Sequence, residues 1–322
     1  MVGGWVRDHL LNLPSNDLDI TIKGIDSKIF VQLLNDKVYK NKYIISNKIL
    51  KRPNGTQIKL TKTVIFDIMI DFFELNESAV EDAKRRDFTF NSLYYNILEN
   101  KIEDLLNIGI NDLKNGLIRT CASTNQVINY NSLPVLRMLR FATKYKFVIN
   151  GECLNEIEKN KKILQNNILN DISKETIHKD IYLIFCGPNP SFAIYSLYKF
   201  GLLEYVLQLD SHNKNDKEKA FTEKDILNCV NIFIVGEKSL DKYKNYFEGE
   251  IYDNKYKYAL YSILLSIYMK NFTSKYKNSL AKIILANALR IECKDTLRII
   301  YNFDEFNNFI AKNEYNKLHV GI

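Results

Sequence analysis

The first hundred or so residues switch repeatedly between two apolar periods, and the rest of the chain keeps largely to one. WVRDHLL at 5–11 spaces its apolar side chains as a short helix does, whereas DLDITI at 17–22 alternates with the period of two that a strand requires. FDIMIDFFEL at 66–75 alternates again, with β-branched and aromatic residues. ESAVEDAKRRDFTFNSLYYNI at 77–97 is expected to become helical in its second half, and NGLIRT at 115–120 to close the region with a turn and a short strand. From about residue 125 the alternation fades. SLPVLRMLRFATKY at 132–145 predicts a helix with Ser132 as N-cap and Pro134 tolerated in the first turn. Val135, Met138, Ala142 and Tyr145 fall on one face of it, Arg137, Arg140 and Lys144 on the opposite one. DSHNKNDKEKAFTEKD at 210–225 reads as an exposed linker, YALYSILLSIYM at 258–269 as a buried helix too short to span a bilayer, and SLAKIILANALRI at 279–291 as a further helix. The pattern implies an α+β fold: a small mixed-sheet head over 1–120, a helical neck over 121–206 and a helical body over 207–322.

Composition narrows the class. A chain of 322 residues can bury sizeable cores in two or three domains, and 46% hydrophobic with only 12 Gly and 5 Pro excludes collagen-like and broadly disordered proteins. Lysine and arginine number 45 against 38 acidic residues, a net charge of +7 that suits a nucleic-acid partner without specifying one. Cys121, Cys153, Cys186, Cys229 and Cys293 are scattered, with no CxxC pair, so neither a zinc site nor a disulfide framework is expected and a reducing, intracellular compartment fits. Residues 1–20 lack the basic and apolar regions of a signal peptide, and no membrane partner is expected.

The opening MVGGWVRDHLLNLPSNDLDI carries the chemistry. Residues i and i+2 of a strand share a face, so Asp17 and Asp19 would stand side by side with Leu18 turned inward. Neighbouring carboxylates repel unless a cation lies between them, and a hard oxygen-rich pair suits Mg²⁺, which also takes phosphate oxygens. An isolated DxD is more often a solvated strand edge. Here Gly3 and Gly4 precede a helix by one step, and glycine before a helix lets backbone approach a phosphate. Glycine pair, helix, PSN turn and DxD strand follow one another within twenty residues, which favours a nucleoside triphosphate held with two metal ions.

The string VGGWVRD…LPSNDLDI resembles the DNA-polymerase-β nucleotidyltransferase superfamily, and within it the class II tRNA nucleotidyltransferases: the CCA-adding enzymes and related poly(A) polymerases, with eukaryotic members nearest. EDAKRRDFTFNSLYYNI at 81–97 resembles their RRDxTxN segment, EDLLNIGINDLKNGLIRT at 103–120 the hairpin ending their head, VLRMLRFATKYKF at 135–147 the start of their neck, and 172–206 later neck helices. The resemblance implies a nucleotidyltransferase head, metal ligands at Asp17 and Asp19, and a third catalytic carboxylate at Asp71. It implies nucleotide contacts from Gly3, Gly4, Arg7, Arg86, Asp87 and Asn91, and from Asn131, Arg137 and Arg140 in the neck. It further implies Mg²⁺ as cofactor, CTP and ATP as substrates and tRNA as partner, in the cytoplasm, nucleus or mitochondrion. The same family pattern admits poly(A)-, CC- or A-adding activity, and a catalytically impaired RNA-binding relic.

Two departures stand out. The family's neck motif EDxxR reads the edge of the incoming base with its Asp and Arg; here those positions hold Asn131 and Pro134, and proline has no side-chain donor. Met1 stands directly before VGG, where the family has a further strand of the same sheet. The basic face of Arg137, Arg140 and Lys144 is expected to meet nucleotide or RNA phosphate.

Overall fold

The computed structural model describes residues 1–206 apart from 16–17, 40–43, 52–56, 66 and 186–189. The expected linker at 210–225, the helices at 258–269 and 279–291, and Cys186, Cys229 and Cys293 lie outside the described residues, as does Asp17. Two compact units divide the chain: Met1–Pro134 with Tyr145–Lys159, and Val135–Lys144 with the residues from Asn160 onward.

In the first unit, α1 (Gly4–Leu10) leads through a turn to β1 (Leu18–Ile22). Asp26 caps α2 (Ser27–Leu34) by accepting from the Lys28 and Ile29 amides, and a π-turn at Asn35–Tyr39 follows. β2 (Ile44–Lys51), β3 (Gln57–Ile65) and β4 (Ile68–Glu74) form an antiparallel meander, and β1 adds to β4 in parallel, giving the order β1-β4-β3-β2. Ile70 and Phe72 of β4 pack with Val31 of α2 and with Leu18, Ile20 and Ile22 of β1. One sheet face is therefore apolar and covered by a helix, and alternation sends the intervening residues to the other.

The segment 77–97 folds differently from the sequence expectation. Its first half is helical, as α3 (Ala79–Lys84), because the Ser78 hydroxyl accepts from the Glu81 amide. Its second half runs extended through a 3-10 turn at Thr89–Asn91 into β5 (Tyr94–Asn96), which pairs with β6 (Lys101–Glu103). Phe88, Phe90 and Leu93 are fully buried, and no single helical face would bury all three. Residues 103–120 are likewise not a hairpin: α4 (Gly109–Lys114) occupies their middle, ahead of β7 (Leu117–Ile118). Val2 bridges Asp19 on one side and Tyr94 on the other, tying β5 and β6 to the main sheet. α5 (Thr124–Tyr130) precedes α6 (Leu133–Tyr145), and β8 (Val148–Ile149) returns to pair with β7 before α7 (Gly151–Lys159).

The second unit takes the middle of α6 together with α8 (Lys161–Asn170), α9 (Lys174–Phe185), α10 (Pro190–Lys199) and α11 (Leu203–Val206). Its core includes Leu136, Met138 and Leu139 with Leu164, Ile168, Ile181 and Leu197. Among the described residues, no helix is long and apolar enough to cross a membrane.

Candidate active site

Strand register assembles the site. Asp19 of β1 is the direct partner of Asp71 on β4, and Asp71 is the partner of Lys62 on β3. Residues opposite one another across a sheet share a face, so the three stand in a row opposite Ile70 and Phe72. Lys62 Nζ donates to Asp71 Oδ2. The other oxygen, Asp71 Oδ1, is buried and has no hydrogen-bond partner among the described residues. A buried acceptor left unsatisfied costs about 1–3 kcal/mol, more when charged, which a bound cation would offset. Among the described residues, no group of three or more His, Cys, Asp or Glu is gathered closely enough to hold a metal. The described carboxylates Asp19 and Asp71 nevertheless fit a divalent ion in donor chemistry, and Asp71 Oδ1 is an oxygen still to be satisfied.

Gly3 stands at the edge of that row. Its amide donates to Leu93 O at 3.1 Å, and the Val2 amide donates to Asp19 O at 3.0 Å. Gly3 has φ +74°, a conformation that side chains resist. A Cβ there would lie 3.1 Å from Arg86 Nη1, 3.7 Å from Asn91 O and 3.9 Å from Asp19 Oδ2. The absent side chain is what lets Arg86 and Asp19 converge.

Arg86 is held from behind. Its Nε and Nη2 donate to Asp82 Oδ2 at 3.2 and 3.0 Å, the Tyr94 hydroxyl donates to the same oxygen, and the guanidinium lies 5.5 Å over the Tyr94 ring. Nη1 is thereby aimed at Gly3. Burial opposes the charge on Arg86, but the Asp82 carboxylate and Tyr94 outweigh it and raise its pKa. Burial pushes the Tyr94 phenol well above its ordinary value, so it stays a neutral donor.

Asp87 is fixed by its neighbours: Oδ1 accepts from the Phe88 amide at 2.8 Å and from Asn91 Nδ2 at 3.1 Å. Asn91 Oδ1 in turn accepts from Arg7 Nη1 at 2.7 Å, while Arg7 Nε and Nη2 fork onto Asp8 at 2.8 and 2.9 Å. Tyr145 donates to Asp8 Oδ1 at 2.8 Å, and Arg7 lies 5.1 Å over the Tyr145 ring. Arg7 and Asn91 are each 6% exposed and brace Asp87 from within. Next to Asp87, burial and then that carboxylate push the Cys121 thiol up to about 12.

Residues 1–119 match the family of the poly A polymerase head domain. Among curated proteins, the chain is 34% identical over 212 residues to the mitochondrial CCA tRNA nucleotidyltransferase of Candida glabrata, covering 59% of this chain and 40% of the relative. It is 32% identical over 216 residues to the mitochondrial CCA tRNA nucleotidyltransferase of Saccharomyces cerevisiae, covering 60% and 39%. The chain thus spans about two fifths of the length of these relatives. Among solved structures, it shares the fold of a tRNA-processing enzyme in an apo form, with TM-score 0.65 at 18% identity, covering 98% of this chain and 76% of that one. The Thermotoga maritima CCA-adding enzyme complexed with tRNA matches with TM-score 0.62 at 18% identity, covering 95% and 64%.

Beyond residue 119, the residues predicted for the neck have structural duties. Asn131 ends α5 and accepts from the Leu133 amide at 2.9 Å. Pro134 sits in the first turn of α6, as expected, but Ser132 makes no capping hydrogen bond there. Arg137 lies 5.9 Å over Phe141. Arg140 departs from the expectation of a phosphate-facing cation: its Nη1 donates to Asp180 at 2.7 Å, and Asp180 is only 4% exposed. Lys62, Asp8, Asp82 and Tyr94 were not singled out by the sequence, although the i, i+4 spacing of Asp82 and Arg86 in a helical stretch was a usable signal.

Proposed function

We propose that the chain is a template-independent RNA nucleotidyltransferase that adds CCA, from CTP and ATP, to the 3′ end of tRNA. The observation that carries this is the pairing of Asp19 with Asp71 in one sheet row beside Gly3 and Arg86. The likeness of the head to the poly A polymerase family, and the names of the CCA-adding relatives, support the substrate assignment.

Asp17, Asp19 and Asp71 would hold Mg²⁺, which supplies charge neutralisation for the phosphates and acidifies the attacking hydroxyl. In the reaction, the tRNA 3′-hydroxyl oxygen bonds to the α-phosphorus, and the α–β phosphoanhydride breaks to release pyrophosphate. Gly3 admits the triphosphate close to the backbone. Arg86, clamped by Asp82 and Tyr94, offers a fixed positive donor to it without having to reorganise. Asp87, steadied by Asn91 and Arg7, addresses the nucleotide. Positioning and charge carry most of such a reaction.

The test is incorporation of labelled CTP and ATP into a tRNA lacking its CCA end. Two cytidylates followed by one adenylate, with Mg²⁺ and not with EDTA, are expected, and Asp17→Asn or Asp19→Asn removes them. A long adenylate ladder would reassign the chain as poly(A)-adding. No incorporation with Mg²⁺ or Mn²⁺ would leave an RNA-binding relic.

A further inference from the structure

Lys62 has no place in the chemistry just described, yet it stands in the row of the carboxylates. It is the β3 partner of Asp71, its ammonium is ion-paired to Asp71 Oδ2, and Asp71 Oδ1 has no partner among the described residues. The Lys62 side chain is one-third exposed and that of Asp71 only 12%, so the pair is half sheltered rather than a solvent-screened surface contact. The β3–β4 register fixes the place of Lys62 in this row.

We propose that Lys62 is a resident counter-cation of the metal site. It holds Asp71 in place through Oδ2, leaves Oδ1 to the incoming ion, and by its own charge lowers the affinity of the site for a divalent cation. The chain alone then binds metal weakly, and metal arrives efficiently only with the strongly anionic triphosphate, whose charge outweighs one lysine. The inference rests on the reading of Asp19 and Asp71 as metal-holding carboxylates. Two cations sharing one carboxylate lie about 5 Å apart, and even at the dielectric of water their repulsion corresponds to roughly tenfold in affinity.

The test measures Mn²⁺ binding to the full chain by electron paramagnetic resonance, without nucleotide or RNA. Lys62→Gln keeps an N–H donor for Asp71 and removes the charge; it should bind Mn²⁺ about tenfold more tightly than the natural chain. Lys62→Arg, which keeps the charge, should bind as the natural chain does. Adding Asp71→Asn to Lys62→Gln should abolish the gain and so place the ion at this carboxylate. Lys62→Met, close to lysine's stem in shape, gives the same reading if the glutamine variant folds poorly. Unchanged or weaker binding in the neutral variants, or no Mn²⁺ binding by any of them, overturns the proposal. Because nucleotide addition is not read, a chain that behaves this way but extends no tRNA would remove the proposed function and leave Lys62's role standing.

Discussion

Replacing Gly3 by alanine should damage both the fold and the site, whereas the same change at Gly4 should not. Gly3 adopts φ +74° and ψ −126°, a region essentially reserved for glycine, so alanine costs about 1–3 kcal/mol in backbone strain. Its Cβ would also press Arg86 Nη1 at 3.1 Å, and that nitrogen belongs to a guanidinium already fixed on Asp82. A reduced unfolded-state entropy returns about 0.4–1 kcal/mol to any Gly→Ala change, leaving a net loss of roughly 1–2 kcal/mol at position 3. Gly4 is helical, and its Cβ would meet Arg7 Nη2 at an ordinary 3.5 Å, so alanine there gains a few tenths of a kcal/mol from helix propensity. For a unit of this size, about 2–4 °C of melting temperature accompanies each kcal/mol. Thermal denaturation should therefore place Gly3→Ala about 3–10 °C below Gly4→Ala. Displacing the charged donor should raise the KM for CTP by about 10-fold or more, since a hydrogen bond to a charged group is worth ~1.5–3 kcal/mol. If the two variants melt within a degree of each other and share one KM for CTP, Gly3 does not hold the cleft open and the convergence of Asp19 and Arg86 is not what the site depends on.

Arg140→Ala should lower stability by about 3 kcal/mol, because it strands the buried Asp180 carboxylate, and urea denaturation reads this directly; an unchanged midpoint with weaker tRNA binding would instead return Arg140 to the RNA face. Asn131→Asp with Pro134→Arg should sharpen selection of CTP and ATP over UTP and GTP by roughly tenfold, measured as the ratio of kcat/KM values, while aspartate keeps the acceptor used by the Leu133 amide. Cys121, raised from 9.0 to about 12 by burial and by Asp87, should be alkylated at pH 8 on the order of a thousandfold more slowly than a free thiol, as peptide mass spectrometry would show. Because the folded chain disfavours the thiolate, the stability this thiol contributes is present below its unfolded pKa and is lost as the pH climbs from about 9 through 12.

Alternation is enough to find β1 and β4, since one face of each is apolar and at least partly buried; Asp19 lies on the first, and the family resemblance points to Asp71 on the second. Their juxtaposition was not legible, because register between strands distant in sequence is a tertiary property. Lys62 is hidden for the same reason: QIKLTKTVI alternates, but only the register with β4 sets Lys62 against Asp71. The helix in 77–97 lies in the first half, where Ser78 and Glu81 carry a start signal, and not in the second, where the burial of Phe88 and Phe90 decides the path after Arg86. Arg140 looked solvent-facing on a helical wheel, and its partner lies forty residues on. The burial of Arg7 depends on Asp8, Asn91 and Tyr145, which a local pattern does not bring together.

The parallel pairing of β1 with β4 also sets an order on folding. β2, β3 and β4 are sequential and antiparallel, so their contacts close short loops and can form early. β1 reaches β4 only after the whole of residues 23–67 has been brought round, a closure whose entropy is lost before any pairing offsets it. A folding species holding just the meander already contains the Lys62–Asp71 pair and lacks Asp19. The charge balance at Asp71 is then in place before the second carboxylate docks, and like-charge repulsion between the two aspartates never has to be overcome by an unneutralised strand. Changes in β1 should accordingly speed unfolding more than they slow the formation of the meander.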